Sequence, residues 1–167
     1  MTMKYTGGEV LTEFLLTMSG LEPCRILDLG AGSGETVRLL REQGFFAQGI
    51  DEIGNEDVEA GDFLHCHYED GSFDAVICEG VLFGTGREAD GWAEALRLLK
   101  SGGILLLADV CFVDVMGHVD RLEKAGFQVD HVEEASALWA DCGYLQQVEE
   151  LGGKGRCRYF LSVCRKP

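Results

Sequence analysis

Little in this chain of 167 residues divides it into parts. Only two prolines occur, Pro23 and Pro167, and there is no internal repeat, low-complexity run or linker-like stretch. One domain around one core is the expectation for that length. No segment approaches the roughly 20 uninterrupted apolar residues that a bilayer span requires, so no membrane span is expected. The opening Met1-Thr2-Met3-Lys4-Tyr5 lacks the basic start and apolar run of a secretory signal, which points to a cytoplasmic protein. Positive charge is scarce. The 14 Lys and Arg against 29 Asp and Glu leave a formal net charge of −15, and no three basic residues are consecutive. Such a field repels phosphate backbones and anionic lipid surfaces, so neither nucleic acid nor membrane is expected as a partner. The seven cysteines form no Cys-x-x-Cys pair and are odd in number. Without a secretion signal they read as small buried hydrophobes rather than a disulfide framework.

What is present is a 46% apolar chain punctuated by glycine, in which strand-like and helix-like segments alternate. Thr6-Gly-Gly-Glu9 has capping-box spacing and opens a leading helix through Val10, Phe14 and Met18 that stops at Gly20. Arg25–Leu29 reads as a buried strand, Gly30–Gly34 as a turn, Glu35–Gln43 as a helix, and Phe45–Ile50 as a second strand ending at Asp51. Asp62-Phe63-Leu64 is expected in a third strand or at its end, and Phe73–Cys78 in a fourth. Trp92, Leu96 and Leu99 mark a helix closed by Gly102-Gly103, and Ile104–Ala108 is apolar enough to be a central strand buried on both faces. A helix near Val115–Ala125, a sixth strand over Phe127–Val132, a helix over roughly Ala135–Leu151 and a seventh strand at Arg158–Val163 complete the chain. Alternation of this kind predicts an α/β fold, a mostly parallel seven-stranded sheet with helices on both faces. Ligands of such sheets bind beyond the carboxyl ends of the strands.

The chemistry-bearing residues fall at those ends. Ile26-Leu-Asp-Leu-Gly-Ala-Gly-Ser-Gly34 is a strand followed by a glycine turn and a helix start. Its glycines let backbone and ligand approach closely. Helix starts of this type usually meet a phosphate. Here Asp28 precedes the first glycine and Glu35 opens the helix, so a cationic ligand fits better than a pyrophosphate. S-adenosylmethionine has a sulfonium and an ammonium and no phosphate. Asp51 lies 21 residues past Gly30, where an acid accepts from ribose hydroxyls. Asp62 is placed to accept from an adenine amino group, with Phe63 beside it as an apolar surface. Glu79 ends the central fourth strand, where it faces the methionine ammonium or the acceptor. A nicotinamide cofactor is disfavoured because Glu35 stands where the third glycine of that fingerprint would fall.

With these residues in view, the chain resembles class I S-adenosylmethionine-dependent methyltransferases. The pattern is similar to the branch that includes ubiquinone/menaquinone-pathway and arsenite-type methyltransferases. The matching pieces are Ile26–Gly34, Gly49-Ile-Asp51, Gly61-Asp62, Asp70-Gly-Ser-Phe-Asp74 and Leu98–Leu105, in the family's order. The leading Thr6-Gly-Gly-Glu-Val-Leu segment resembles small stand-alone bacterial members. The resemblance implies a Rossmann-like sheet with an antiparallel last strand, and S-adenosylmethionine as cofactor. The cofactor set is then Asp28, Gly30, Ala31, Gly32, Asp51, Glu52, Asp62, Phe63 and Glu79. Residues 1–24 form the leading helix, 25–110 the cofactor-binding core and 111–167 a substrate-side half.

The acceptor is not named by the sequence, and a small molecule is the expectation. Methyl transfer is an in-line displacement in which the cofactor carries the difficult chemistry and the protein aligns. A hydroxyl or amine acceptor needs a base, and Glu79, Asp109 and His118 are the candidates; His118, on a predicted helix, is expected at the surface. Two departures from the family pattern bear on the acceptor. Cys66-His67-Tyr68 stands where relatives usually read Leu-Pro-Phe, and few residues separate the fifth strand from the next helix. With so little lid material, a partner chain or a homodimer could complete the acceptor site. Cys78 and Cys111, after the central strands, keep thiol or metalloid methylation as an alternative. His65-Cys66-His67 is too small a set for a metal site.

Overall fold

The computed structural model describes residues 8–139 and 157–167. The described elements run α1 (Gly8–Ser19), β1 (Arg25–Leu29), α2 (Glu35–Glu42), β2 (Phe46–Asp51), β3 (Val58–Ala60), β4 (Phe73–Glu79), α3 (Leu82–Thr85), α4 (Glu88–Leu98), β5 (Leu99–Cys111), α5 (Val115–Lys124), β6 (Gln128–Glu134), α6 (Ser136–Trp139) and β7 (Arg158–Arg165). Thr6, the expected cap of the leading helix, and Cys142 lie outside the described residues, as does most of the helix expected up to Leu151.

Seven strands form one sheet in the order β3-β2-β1-β4-β5-β7-β6. The pairs from β3 through β5 are parallel, and β7 runs antiparallel to both β5 and β6. The order reverses direction at β1 and β4, the switch point where α/β sheets open a ligand crevice. Ile26–Leu29 of β1 and Ile104–Cys111 of β5 are buried because both faces are covered there, and apart from Asp28 and Asp109 they are apolar. One face packs Ile26, Ile77, Leu106 and Leu161 against Leu11 and Leu15 of α1 and Val37 and Leu40 of α2. The other packs Leu27, Val76, Leu105 and Leu107 against Trp92, Ala95 and Leu98 of α4 and Leu122 of α5. No described helix is long and apolar enough to cross a membrane.

Three expectations need correction. The third strand is Val58–Ala60, not the segment around Asp62. The Asp62 carboxylate accepts the Leu64 N–H at 2.9 Å, which curls residues 62–65 into a turn, and Phe63 and Leu64 are buried from that turn rather than from a strand. Leu99 starts β5 instead of closing a helix, because its backbone is already extended (ψ 139°) and it pairs with Phe73. Gly102 and Gly103 therefore lie inside the irregular start of β5, where the Gly102 N–H donates to the Lys166 carbonyl at 2.8 Å. The sixth strand begins and ends later than expected, at Gln128 and Glu134.

Candidate functional site

The turn after β1 is fixed by one acceptor: the Gly30 and Ala31 N–H groups both donate to the Ile50 carbonyl, at 2.9 and 3.0 Å. Gly30 has φ +82°, and a Cβ there would stand 2.6 Å from Val81 Cγ1, so only glycine lets the turn close against the segment leaving β4. Gly32, at φ +51°, has the opposite surroundings, since a Cβ there would meet nothing within 4 Å. Between these glycines the backbone borders open space at the tip of β1. Gly49 lets Val37 and Ala31 close on β2, as a Cβ would lie 2.7 and 2.8 Å from their side chains.

Three carboxylates meet beside this turn. Asp28 is 3% exposed, and among the described residues nothing donates a hydrogen bond to it. Burial, then the charges of Glu79 and Asp51, hold its carboxyl well above the usual range. Asp51 accepts the Gly32 N–H at 2.8 Å and the Glu52 N–H at 2.7 Å, which orients its carboxylate toward the glycine turn. Glu52 follows on the exposed side of this tip. Glu79, at the tip of β4, has both carboxyl oxygens 2.9 Å from Thr12 Oγ1 of α1, and one of them 3.5 Å from Thr36 Oγ1 of α2. Burial pushes it up to about 7 against the lowering effect of those hydroxyls.

Asp62 sits next to the same tip, since Gly61 donates its N–H to the Asp51 carbonyl at 2.8 Å. Its carboxylate also faces His65 Nδ1 at 3.1 Å, and with the Leu64 N–H this holds it below the ordinary range. Phe63 does not offer an open ring, because it is buried beside Ile50 and Leu64.

The other two candidate bases stand apart. Asp109 is buried and accepts N–H groups from Phe83 at 3.0 Å and Val110 at 2.8 Å, so its carboxylate ties α3 to β5. Burial nevertheless raises it to about 7. His118, expected at the surface, is 3% exposed. It stacks on Phe160 at 4.7 Å between ring centroids, and its Nε2 lies 2.9 Å from Ser162 Oγ. The signal was in the helix spacing, because His118 and Leu122 are one turn apart and are the buried pair of α5. Desolvation and the nearby Arg121 lower it to about 4.

Cys78 belongs to the second core cluster and so faces away from Glu79, while Cys111 is buried 4.0 Å from His118 Nδ1. Burial raises the Cys78 thiol well above its usual value and pushes Cys111 up to about 11, which keeps both protonated. A protonated, enclosed thiol is a poor metalloid ligand. Thr12 and Thr36 were missed in the sequence. The structure places Thr12 as a fully buried polar residue on the otherwise apolar Leu11-Thr12-Leu15-Leu16 face of α1.

Sheet order, glycine turn and tip acids together define the class I methyltransferase architecture. Residues 27–107 match the methyltransferase domain family. Ribosomal RNA-processing protein 8 of Caenorhabditis elegans is 34% identical over 112 residues, which cover 65% of this chain and 32% of that protein. Demethylmenaquinone methyltransferase of Clavibacter sepedonicus is 32% identical over 99 residues, 51% of this chain and 40% of the relative. The chain thus spans about a third of the length of the first of these relatives and two fifths of the second. Among solved structures, the [4+2]-cyclase SpnF superposes with a TM-score of 0.75 at 20% identity, covering 95% of this chain and 80% of that one. A chain from the complex of the Haloferax volcanii Trm112 methyltransferase activator superposes with a TM-score of 0.68 at 20% identity, covering 94% and 88%. Two further solved structures with the same fold, a geranyl diphosphate methyltransferase (TM-score 0.74, 15% identity) and the Haemonchus contortus phosphoethanolamine N-methyltransferase 2 (TM-score 0.75, 16% identity), are complexes with S-adenosylmethionine.

Proposed function

We propose that this chain transfers the methyl group of S-adenosylmethionine to a small-molecule acceptor. The observation that carries the reading is the buried Asp28 carboxyl, without a hydrogen-bond donor among the described residues and flanked by Asp51 and Glu79 at an open glycine turn. Buried acids without a counter-charge are costly, and a ligand with an ammonium and a sulfonium offsets Asp28 and Glu79 while its ribose hydroxyls meet Asp51. The open space at Gly32 suits the same ligand. In this reading Asp28, Glu79 and the Gly30-Ala31-Gly32 backbone hold the amino-acid end. Asp51, with Glu52 beside it, holds the ribose, and Asp62 and the edge of Phe63 border the adenine. When bound, the cofactor supplies an electrophilic methyl group.

Of the three candidate bases, Glu79 suits a proton acceptor best. Asp109 is occupied by backbone N–H groups and His118 by Ser162. The division into a leading helix, a cofactor core and a substrate-side half belongs to the same proposal. So does the small-molecule acceptor: the net charge of −15 opposes a ribosomal RNA substrate of the kind that the name of the C. elegans relative suggests.

Calorimetric titration with S-adenosylhomocysteine tests the reading. We expect binding that Asp51→Ala weakens by roughly 1.5–3 kcal/mol, the worth of hydrogen bonds to a charged group. Binding of NADH with no response to S-adenosylhomocysteine would refute it. A second reading, an acceptor site completed by a partner chain or a second copy, draws on Phe112, Val115 and Met116, which leave apolar surface exposed just past β5. Light scattering and methyl-transfer assays of the isolated chain separate the two. A monomer that methylates a small molecule alone excludes the partner-dependent form.

A further inference from the structure

The hydrogen count around Glu79 does not balance for an ionised carboxylate. Thr12 Oγ1 lies 2.8 Å from the Gly8 carbonyl and 2.9 Å from each Glu79 oxygen, three acceptors around a hydroxyl with one proton. If Glu79 is protonated, two of the three contacts carry a proton: Thr12 donates to Gly8 and the Glu79 O–H donates to Thr12. If Glu79 is ionised, Thr12 must turn its proton away from the first turn of α1.

The surroundings favour the protonated form. Asp28 and Asp51 face the same space from β1 and β2, while α1 and α2 offer only the Thr12 and Thr36 hydroxyls. Arg38, the basic residue of α2 nearest the turn, is engaged by Asp57 at 2.8 Å and the Ser33 carbonyl at 3.1 Å.

We propose that Glu79 is a proton-linked charge sensor: it carries a proton in the free protein and releases it when a cationic cofactor enters, so the site prefers S-adenosylmethionine to its uncharged-sulfur product. The inference rests on the cofactor reading above. The proton passes to solvent, the Thr12 hydroxyl swings from Gly8 to the new carboxylate, and no covalent bond to carbon changes. The methylated acceptor and S-adenosylhomocysteine then leave a site that takes its proton back, which favours exchange of product for fresh cofactor.

The test is calorimetry of S-adenosylmethionine and S-adenosylhomocysteine at pH 7, in phosphate and in Tris, buffers with different heats of ionisation. The expected result is a buffer-dependent enthalpy for S-adenosylmethionine and a smaller dependence for S-adenosylhomocysteine. The preference for S-adenosylmethionine should also rise about tenfold from pH 6 to pH 8, as one released proton near pH 7 requires. Glu79→Gln should abolish both effects while keeping a side chain of the same size. Equal enthalpies in both buffers with both ligands bound would overturn the sensor and leave the cofactor reading standing. Failure of both ligands to bind wild-type protein would overturn both. The wild-type measurement stands even if the variant does not fold.

Discussion

Gly30→Ala is predicted to damage the protein through a residue 51 positions away. Two costs add. At φ +82° an alanine is strained in the left-handed region by about 1–2 kcal/mol. Its Cβ would also lie 2.6 and 2.9 Å from the two γ carbons of Val81, and overpacking of this kind costs about 1–3 kcal/mol. The expected loss is therefore about 2–5 kcal/mol, a fall in Tm of roughly 10 °C for a domain of this size. Urea unfolding of the single variants and of Gly30→Ala/Val81→Ala separates the costs. Removing the valine methyls relieves the clash and leaves the strain, so the double-mutant cycle should show about 1–3 kcal/mol of favourable coupling. Gly32→Ala is the control. With no atom within 4 Å it should lose only about 1–2 kcal/mol of stability, from strain, yet bind S-adenosylhomocysteine at least tenfold more weakly because its Cβ fills the open space. A Gly30→Ala variant as stable as wild type, or a cycle without coupling, would refute this packing of the turn against the β4 exit.

Other predictions concern the buried titratable groups. Thr12→Val should cost about 0.5–1.5 kcal/mol at pH 6 and about 1.5–3 kcal/mol at pH 8, because Glu79 ionises near pH 7 and its lost hydrogen bond becomes charge-assisted; equal costs at both pH values in urea unfolding would contradict it. Asp109 has a folded value of about 7, above the unfolded 3.8, so the folded state binds more protons between them and stability falls as pH rises through that window. Asp109→Asn should flatten this decline, and a wild-type stability that rises from pH 5 to pH 7 with no change in slope in the variant would count against it. His118 runs the other way. Its folded value near 4 lies below 6.5, so its contribution is full above the unfolded value and is lost as pH falls toward 4. Its ring proton resonances should stay in the neutral position from pH 8 to pH 5, and titration near 6.5 would show that it is exposed.

Most strands were legible because their apolar runs end in glycine or acid. Arg25–Leu29 and Phe73–Cys78 needed little more than composition and a following turn. The third strand was misplaced because Val58-Glu59-Ala60 is too short to show a period, while Phe63-Leu64 advertises burial that a side-chain-capped turn supplies instead. Leu99 fitted the helical spacing of Trp92 and Leu96, and only its pairing with Phe73 reveals the extended backbone. Asp28, Asp51 and Glu79, which the structure gathers beside the glycine turn, stood out in the sequence because acids at strand tips are conspicuous. Their coupling to Thr12 and Thr36 was not, because it depends on how two helices pack across one face of the sheet. His118 was misjudged for the same reason: its partners Phe160 and Ser162 are more than 40 residues away along the chain.

The central claim is that the acids at the tips of β1, β2 and β4 enclose a single adenosine-and-sulfonium site. A crystal structure of the complex with S-adenosylhomocysteine tests it most directly. The prediction is one ligand beside the Gly30–Gly32 backbone, its ribose on Asp51 and its amino group within reach of Asp28 or Glu79. A ligand lodged elsewhere, such as the cleft between Glu9 of α1 and Glu35 of α2, with these three carboxylates untouched, would contradict it.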